Sequence, residues 1–269
     1  MFLCGTPLTY LLVGHIHKIN LHSLLCLHHK IGEYMMGRYK IIFWDLDQTL
    51  LNFDRSMDYA LRAVFNQYHL SINDDIVARY DAINRSYWNR LELGGITKEE
   101  LKAGRFRTLF EELDISHVVP EEIASVYQEQ LGSVFFYMDG AKELVINLRA
   151  RGYRQYIVTN GVNSTQANKM RLSGLDQIMD GVFVSELMGY PKPMKEYFDA
   201  CFAELPDVKK NECILVGDSL TSDMRGANNA GITACWFNPE RRAKDVDVRI
   251  DYEICRLEEV LQILEQENV

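Results

Sequence analysis

The residues with the most chemistry to offer fall in four short strings. The first is Asp45-Leu46-Asp47-Gln48-Thr49, two carboxylates one residue apart with a hydroxyl behind them. The second, Thr159-Asn160-Gly161, combines a hydroxyl with backbone amides at a predicted helix start, which suits phosphate oxygens. In Tyr190-Pro191-Lys192-Pro193 the flanking prolines stiffen the backbone and can aim an ammonium at a fixed point. The fourth string, Gly217-Asp218-Ser219-Leu220-Thr221-Ser222-Asp223, adds two more acids. Each has a bland reading: Asp47, Thr49, Thr159 and Asp223 can cap turns or helices, and Lys192 can be a solvated lysine. A chance D-x-D-x-T in a chain this long is expected roughly one time in thirty, so no string decides alone.

Together they do more, because each follows a predicted strand. Two carboxylates about 4 Å apart repel by roughly 4 kcal/mol at an effective dielectric of about 20. Bringing Asp45, Asp47, Asp218 and Asp223 together therefore requires a cation. All-oxygen ligation with few protein ligands suits Mg²⁺, which keeps waters and shares phosphate oxygens. A metal cradle, a hydroxyl at Thr159, amides at Asn160 and Gly161 and the Lys192 ammonium equip a site for phosphoryl transfer.

The elements that must position these groups are legible. Apolar runs at 40–45, 154–159, 181–185, 213–217 and 233–237 are too short and too uniformly apolar for half-exposed strands. They predict a parallel sheet buried on both faces, whose ligands bind at the carboxyl ends of the strands. Helical patterns fit 139–151, 164–172, 193–204, 222–230 and 257–266. Between the first two strands lie about a hundred residues without a convincing strand, too long for a simple crossover. Their periodicity predicts helices over 57–68, 75–91, 97–113 and 120–134, with a capping-box start at Thr97 and Glu100. The expected fold is α/β: a three-layer core with a central parallel sheet, residues 36–53 and 139–269, plus an inserted helical cap over 54–138.

The order DLDQTL, VTNG, KP and GDSLTSD resembles the haloacid dehalogenase superfamily of phosphatases in all four of its motifs, from Lys40 to the C-terminus. The stretch from Trp88 to Thr97, with 101–106 and 227–238, is similar more narrowly to the pyrimidine 5′-nucleotidase branch. The resemblance implies a Rossmann-like core and an Mg²⁺-dependent phosphomonoester hydrolase acting through an aspartyl-phosphate. Asp45 would be the nucleophile and Asp47 the general acid and base. Thr159 and the backbone after it would hold transferring oxygens, and Lys192 would neutralise them while orienting Asp45. The metal would be held by Asp45, the Asp47 carbonyl, Asp218 and Asp223. An acid at Asp47 also speaks against dehalogenase chemistry, in which the family has none there.

Substrate choice then falls to the cap. Trp88, Arg105 and Arg107, with Phe53 at the hinge, are the residues expected to face the crevice. An aromatic can stack on a base, and an arginine can hydrogen-bond base carbonyls. Their bland reading is packing for Trp88 and solvation for the arginines. Alternatives to a nucleotidase are a broad-specificity phosphatase of small metabolites or sugar phosphates, and a mutase returning the phosphoryl group to a sugar. A phospho-switch receiver also clusters acids, a Thr and a Lys, but there the acid pair comes first, and the domain is about half this length.

The 269 residues are 47% hydrophobic and 25% charged, which excludes a disordered or fibrous chain. Opposing 29 Lys+Arg, 38 Asp+Glu leave a net charge of −9, a surface that repels nucleic-acid polymers. The expected partner is a small phosphate ester, with no nucleic-acid polymer and no membrane. Six cysteines without CxxC spacing read as reduced thiols of a cytoplasmic protein. Residues 1–35 hold five of the seven histidines, with Lys18, Lys30 and Glu33 their only charged residues. They match neither a signal peptide nor a zinc pattern, and are expected to be an extension, with the functional chain beginning near Met35 or Met36.

Overall fold

Each uniformly apolar run becomes a strand, because a residue buried on both sheet faces leaves no polar position for alternation to show. A computed structural model describes residues 37–266; the expectations for residues 1–35 lie outside them. The strands are β1 (Ile41–Trp44), β2 (Arg154–Thr159), β3 (Gly181–Val184), β4 (Cys213–Gly217), β5 (Thr233–Phe237) and β6 (Tyr252–Ile254). All pair in parallel, in the order β3-β2-β1-β4-β5-β6. The chain is a Rossmann-like α/β protein with helices around this central sheet. Strand β6 was not expected; it is three residues long, and Asn238 N–H donates to the Ile254 carbonyl beside it (2.7 Å).

The order runs from β1 to β2 on one side and from β1 to β4 on the other, so β1 and β4 flank the switch point. There the carboxyl ends of neighbouring strands splay apart and leave a crevice. Asp45 follows β1 and Asp218 follows β4, so both stand at its mouth.

Between β1 and β2 the chain forms α1 (Phe53–Gln67), α2 (Asp74–Glu92), α3 (Lys98–Glu112) and α4 (Pro120–Gly132). Each start has its local cause. Asn52 and Asn73 side chains accept from Arg55 N–H and Ile76 N–H, Thr97 and Glu100 close a capping box, and Pro120 opens α4. The buried faces of these helices pack into an apolar cluster of their own, including Leu61, Phe65, Tyr80, Phe106 and Tyr127. The two segments joining this insertion to the sheet pair with each other: Asn52 N–H donates to Phe136 (2.7 Å) and Met138 N–H to Leu50 (2.9 Å).

After the insertion come α5 (Ala141–Ala150), α6 (Asn163–Ser173), α7 (Ser185–Met188), α8 (Lys195–Ala203), α9 (Arg225–Ala230) and α10 (Glu259–Gln266). Phe43, Val158, Tyr197, Phe198 and Trp236 are among the side chains of the apolar cluster on one face of the sheet. Among the described residues Cys201, Cys213 and Cys235 are buried free thiols, and no helix is long and apolar enough to cross a membrane.

Candidate active site

Three of the four acids singled out above converge. Carboxylate oxygens of Asp45, Asp218 and Asp223 lie within 4.8 Å of one another. Asp45 is placed by its N–H bond to the Val216 carbonyl (2.9 Å), which ties the end of β1 to β4. Asp223 reaches over the end of β4 because residue 217 is glycine: a Cβ there would stand 2.4 Å from the Asp223 Cγ. Its helix begins as a wide turn, Leu220–Met224, in which the Ser219 hydroxyl accepts from Ser222 N–H.

Lys192 sits at the centre, 1% exposed. Its ammonium donates to Asp45 Oδ1 (2.7 Å), Asp223 Oδ1 (2.7 Å) and the Val158 carbonyl (2.8 Å). All three protons are thereby used, so Lys192 aims the nucleophile candidate and acts on a phosphoryl group as a nearby charge. Burial opposes the charge on Lys192, but Asp223 and Asp45 outweigh it and raise its proton affinity.

The carboxylates respond in the opposite sense. Withdrawal from water, only partly countered by Lys192, pushes Asp45 up to about 7. Asp218 is raised well above the carboxylate range, first by desolvation and then by the charges of Asp45 and Asp223; Arg242 approaches it only to 3.7 Å. One buried ammonium among three acids leaves excess negative charge on hard oxygen donors. That donor set fits a divalent cation of the Mg²⁺ class.

Asp47 points elsewhere. Lys169 on α6, itself fully buried, donates to Asp47 Oδ1 (2.7 Å), and Gln166 Nε2 donates to Asp47 Oδ2 (2.7 Å). The Asp47 side chain is thus outside the metal-competent cluster and is held by partners of its own. Thr159 Oγ1 accepts from Gln166 Nε2 (2.9 Å) and from Gly161 N–H (3.1 Å), which leaves its own proton to give. Gly161 is required for this: a Cβ there would lie 2.0 Å from Gln166 Nε2.

A model of haloacid dehalogenase-like hydrolases matches residues 39–231. The chain belongs to this family. It is 36% identical to the HAD-hydrolase YfnB of Bacillus subtilis, over 87% of this chain and 98% of YfnB. A YfnB structure bound to magnesium superposes with a TM-score of 0.81, covering 84% of this chain and 99% of that one. Pyrimidine 5′-nucleotidase PynA of Streptococcus pneumoniae is 32% identical over 85% of this chain and 96% of its own. Pyrimidine 5′-nucleotidase YjjG of Escherichia coli is 28% identical over 83% and 96%. The chain is thus an enzyme of the hydrolase type, with phosphatase and nucleotidase relatives.

Within this hydrolase the residues expected to contact substrate have the following partners. The Asn160 amide clamps the backbone of Lys192, donating to its carbonyl and accepting from its N–H, both at 2.9 Å. Its side chain therefore positions the lysine. The Gly161 N–H, expected to bind phosphate oxygens, is taken by Thr159 Oγ1. Arg107 is exposed and paired with Glu121 at 2.6 Å, away from the expected role at the crevice. Arg105, also expected to face the crevice, is 1% exposed within the insertion, where its Nη1 donates to Asn84 Oδ1 (2.7 Å). Trp88 is half-buried on α2, one turn before Glu92. Phe53 carries the Lys169 ammonium 5.4 Å above its ring.

Sequence reading missed Gln166, Lys169, Glu92 and Lys98. Glu92, at the end of α2, accepts from the Thr221 hydroxyl and so reaches the fourth motif from the insertion. Burial, eased by that hydrogen bond, pushes Glu92 up to about 7. Lys98 donates to the Asn160 carbonyl (2.8 Å) and the Ser185 hydroxyl (3.1 Å), a second link between insertion and sheet edge.

Proposed function

We propose that this chain hydrolyses phosphomonoesters through an aspartyl-phosphate on Asp45, that pyrimidine nucleoside monophosphates are its substrates, and that residues 54–138 form the cap that selects them. One observation carries the reading: the Asp45, Asp218 and Asp223 carboxylates share one place, with Lys192 bonded to two of them. The relatives named pyrimidine 5′-nucleotidases support the substrate class.

In the first step an Asp45 carboxylate oxygen attacks phosphorus, and the bond to the leaving alkoxide breaks. Lys192 fixes the direction of that oxygen. Asp47 gives a proton to the leaving alkoxide; in the second step it takes one from the water that attacks phosphorus and frees Asp45. Gln166 and Lys169 hold Asp47 for both transfers, and the Thr159 hydroxyl donates to a transferring oxygen. The Asp45 and Asp218 carboxylates, the Asp47 main-chain carbonyl and Asp223, directly or through water, would hold magnesium. When bound, the ion offsets the charge of these carboxylates and of the phosphoryl oxygens. The buried reduced thiols and acidic surface suit a cytoplasmic enzyme acting on a small ester.

The test is phosphate release from UMP, CMP, dUMP, AMP, ribose 5-phosphate and phosphoglycolate, with Mg²⁺ and with EDTA. Pyrimidine nucleotides should be turned over fastest, only with Mg²⁺, and Asp45→Asn should abolish release while its circular dichroism stays native. Equal rates across the panel would reduce the reading to a general phosphatase. Undiminished release by Asp45→Asn would end the covalent route.

A further inference from the structure

Inside the helical insertion lies a group of polar atoms that the fold leaves short of partners. Arg105 on α3 is 1% exposed, and its one hydrogen-bond partner among the described residues, Asn84 on α2, is neutral. The Nε and Nη2 edge of the guanidinium has no partner, and the hydroxyls of Tyr80 on α2 and Tyr127 on α4 have none beyond each other. Tyr80, Phe106 and Tyr127 enclose the group, with the guanidinium carbon 4.8 Å from the Tyr127 ring centroid and 5.8 Å from that of Tyr80. The two tyrosine rings stand 5.5 Å apart, and each packs on Phe106.

A buried guanidinium with a free edge, beside two buried hydroxyls that have only each other, is costly, and a native core rarely keeps such a group without use. Packing alone does not explain them, since an apolar side chain of similar volume would fill the same space at lower cost. The free edge of Arg105 is the one that meets an acceptor pair with two parallel N–H bonds. Its surroundings favour a planar acceptor, because aromatic walls and a guanidinium plane both accept a flat group.

The helix that carries Tyr127 packs against α6, which holds Asp47 through Gln166 and Lys169. Tyr127 is followed by Gln128, whose side-chain and main-chain oxygens accept from the Thr165 hydroxyl at 3.0 Å and 3.3 Å. Thr165 precedes Gln166, which holds Asp47. Gly132, one turn on along α4, lets the helices touch: a Cβ there would be 3.3 Å from the Thr165 Cα. Burial raises the proton affinity of the Tyr127 hydroxyl against the opposing effects of Arg105 and the Tyr80 hydroxyl, and the Asp47 carboxylate adds to the rise.

We propose that the free edge of Arg105, with the Tyr80 and Tyr127 hydroxyls, binds an oxygen acceptor group on the leaving alcohol of the substrate, distal to phosphorus, and so sets which esters are hydrolysed. The proposal rests on phosphomonoester hydrolysis at Asp45 and deepens that reading. Two sources present such an acceptor: the carbonyl edge of a pyrimidine, or a carboxylate or second phosphate on a small metabolite.

The experiment measures kcat/KM with Mg²⁺ for UMP, CMP, ribose 5-phosphate, 3-phosphoglycerate, fructose 1,6-bisphosphate and phenyl phosphate. It compares the full chain with Arg105→Lys, Tyr127→Phe and Tyr80→Phe, the phenylalanine variants keeping the packing should the arginine variant fail to fold. Each substrate is expressed as a ratio to phenyl phosphate, whose leaving alcohol carries no oxygen acceptor distal to phosphorus. Loss of one charged hydrogen-bond pair should lower the ratio for the bound class by about tenfold or more, chiefly through KM. A fall confined to UMP and CMP identifies the pyrimidine edge; one confined to 3-phosphoglycerate or the bisphosphate identifies an anionic group, and then the proposal stands while the nucleotidase reading falls. Unchanged ratios in all three variants, as when buried water satisfies these groups, overturn the proposal and leave the nucleotidase reading intact. So does an equal loss on every ester, the mark of a structural role.

Discussion

Lys169 Nζ stands 2.7 Å from Asp47 Oδ1, deep enough that the lysine has no exposed surface. A buried ammonium with one carboxylate partner fixes that carboxylate in place, and Gln166 fixes its other oxygen. Asp47 is thus held from α6, while Asp45 is held by Lys192 from the loop after β3. Two adjacent acids of one strand end are given separate partners, which is what two separate chemical roles require.

Replacing Lys169 by methionine keeps most of the buried stem and removes the charge. Asp47 then retains one donor, Gln166, and loses its fixed direction. Misplacement of a proton-transfer group by about 1 Å costs on the order of a hundredfold, so kcat for phosphate release should fall by roughly ten- to a hundredfold. KM should move less than kcat, because the proton transfer proposed for Asp47 is made to the leaving group in the reaction step. Steady-state kinetics check this, and a kcat within twofold of the parent would dismiss the role.

Magnesium should stabilise the fold through the carboxylates that repel one another without it. At a free concentration near a hundred times Kd, linkage supplies about 2.7 kcal/mol. For a chain of this size that corresponds to a rise in Tm of roughly 5–10 °C. Asp218→Asn should lose most of the rise and, with one repelling charge removed, melt no lower than the parent in EDTA. Thermal melts with and without Mg²⁺ decide it; an equal rise in parent and variant would place the ion elsewhere.

Gly217→Ala tests the close approach that seats Asp223. A methyl group 2.4 Å from the Asp223 Cγ cannot be accommodated without moving that side chain, and with it the bond to Lys192. Overpacking of this sort costs about 1–3 kcal/mol. The variant should melt several degrees lower and need more Mg²⁺ for half-maximal activity, measured by titration. Unaltered Mg²⁺ dependence would show that Asp223 has no part in holding the ion.

Strands β1 to β5 were readable because burial on both faces writes itself as a continuous apolar run, and the motif residues because they sit where such runs end. Strand β6 was not, since Tyr252-Glu253-Ile254 is short and carries a charge at its centre. The helix expected over 222–230 begins as a wide turn at Leu220, because the Ser219 carbonyl accepts from both Asp223 and Met224 N–H (3.0 Å each). Gln166 and Lys169 look like surface residues of a polar helix. What buries them is the packing of α4 against α6, a contact between segments with no shared local signal. The burial of Arg105 was hidden in a related way: a lone arginine on a helix gives no sign that Tyr80 and Tyr127 close around it.

Glu92 supplies a pH dependence with a definite sign. Its proton affinity is raised from 4.5 to about 7, chiefly by burial, so the folded state favours its neutral form. The stability it contributes is fully present below about pH 4.5 and is lost as pH rises through about 7, an effect on the order of 3 kcal/mol across that window. Glu92→Gln keeps an oxygen for the Thr221 hydroxyl and cannot ionise. In EDTA, where no ion alters the local field, the variant should melt several degrees above the parent at pH 8 and close to it at pH 4.5. Asp45 and Asp218 titrate in both proteins and cancel from the difference. A gap of equal size at both pH values would mean that burial of the Glu92 charge is not its cause.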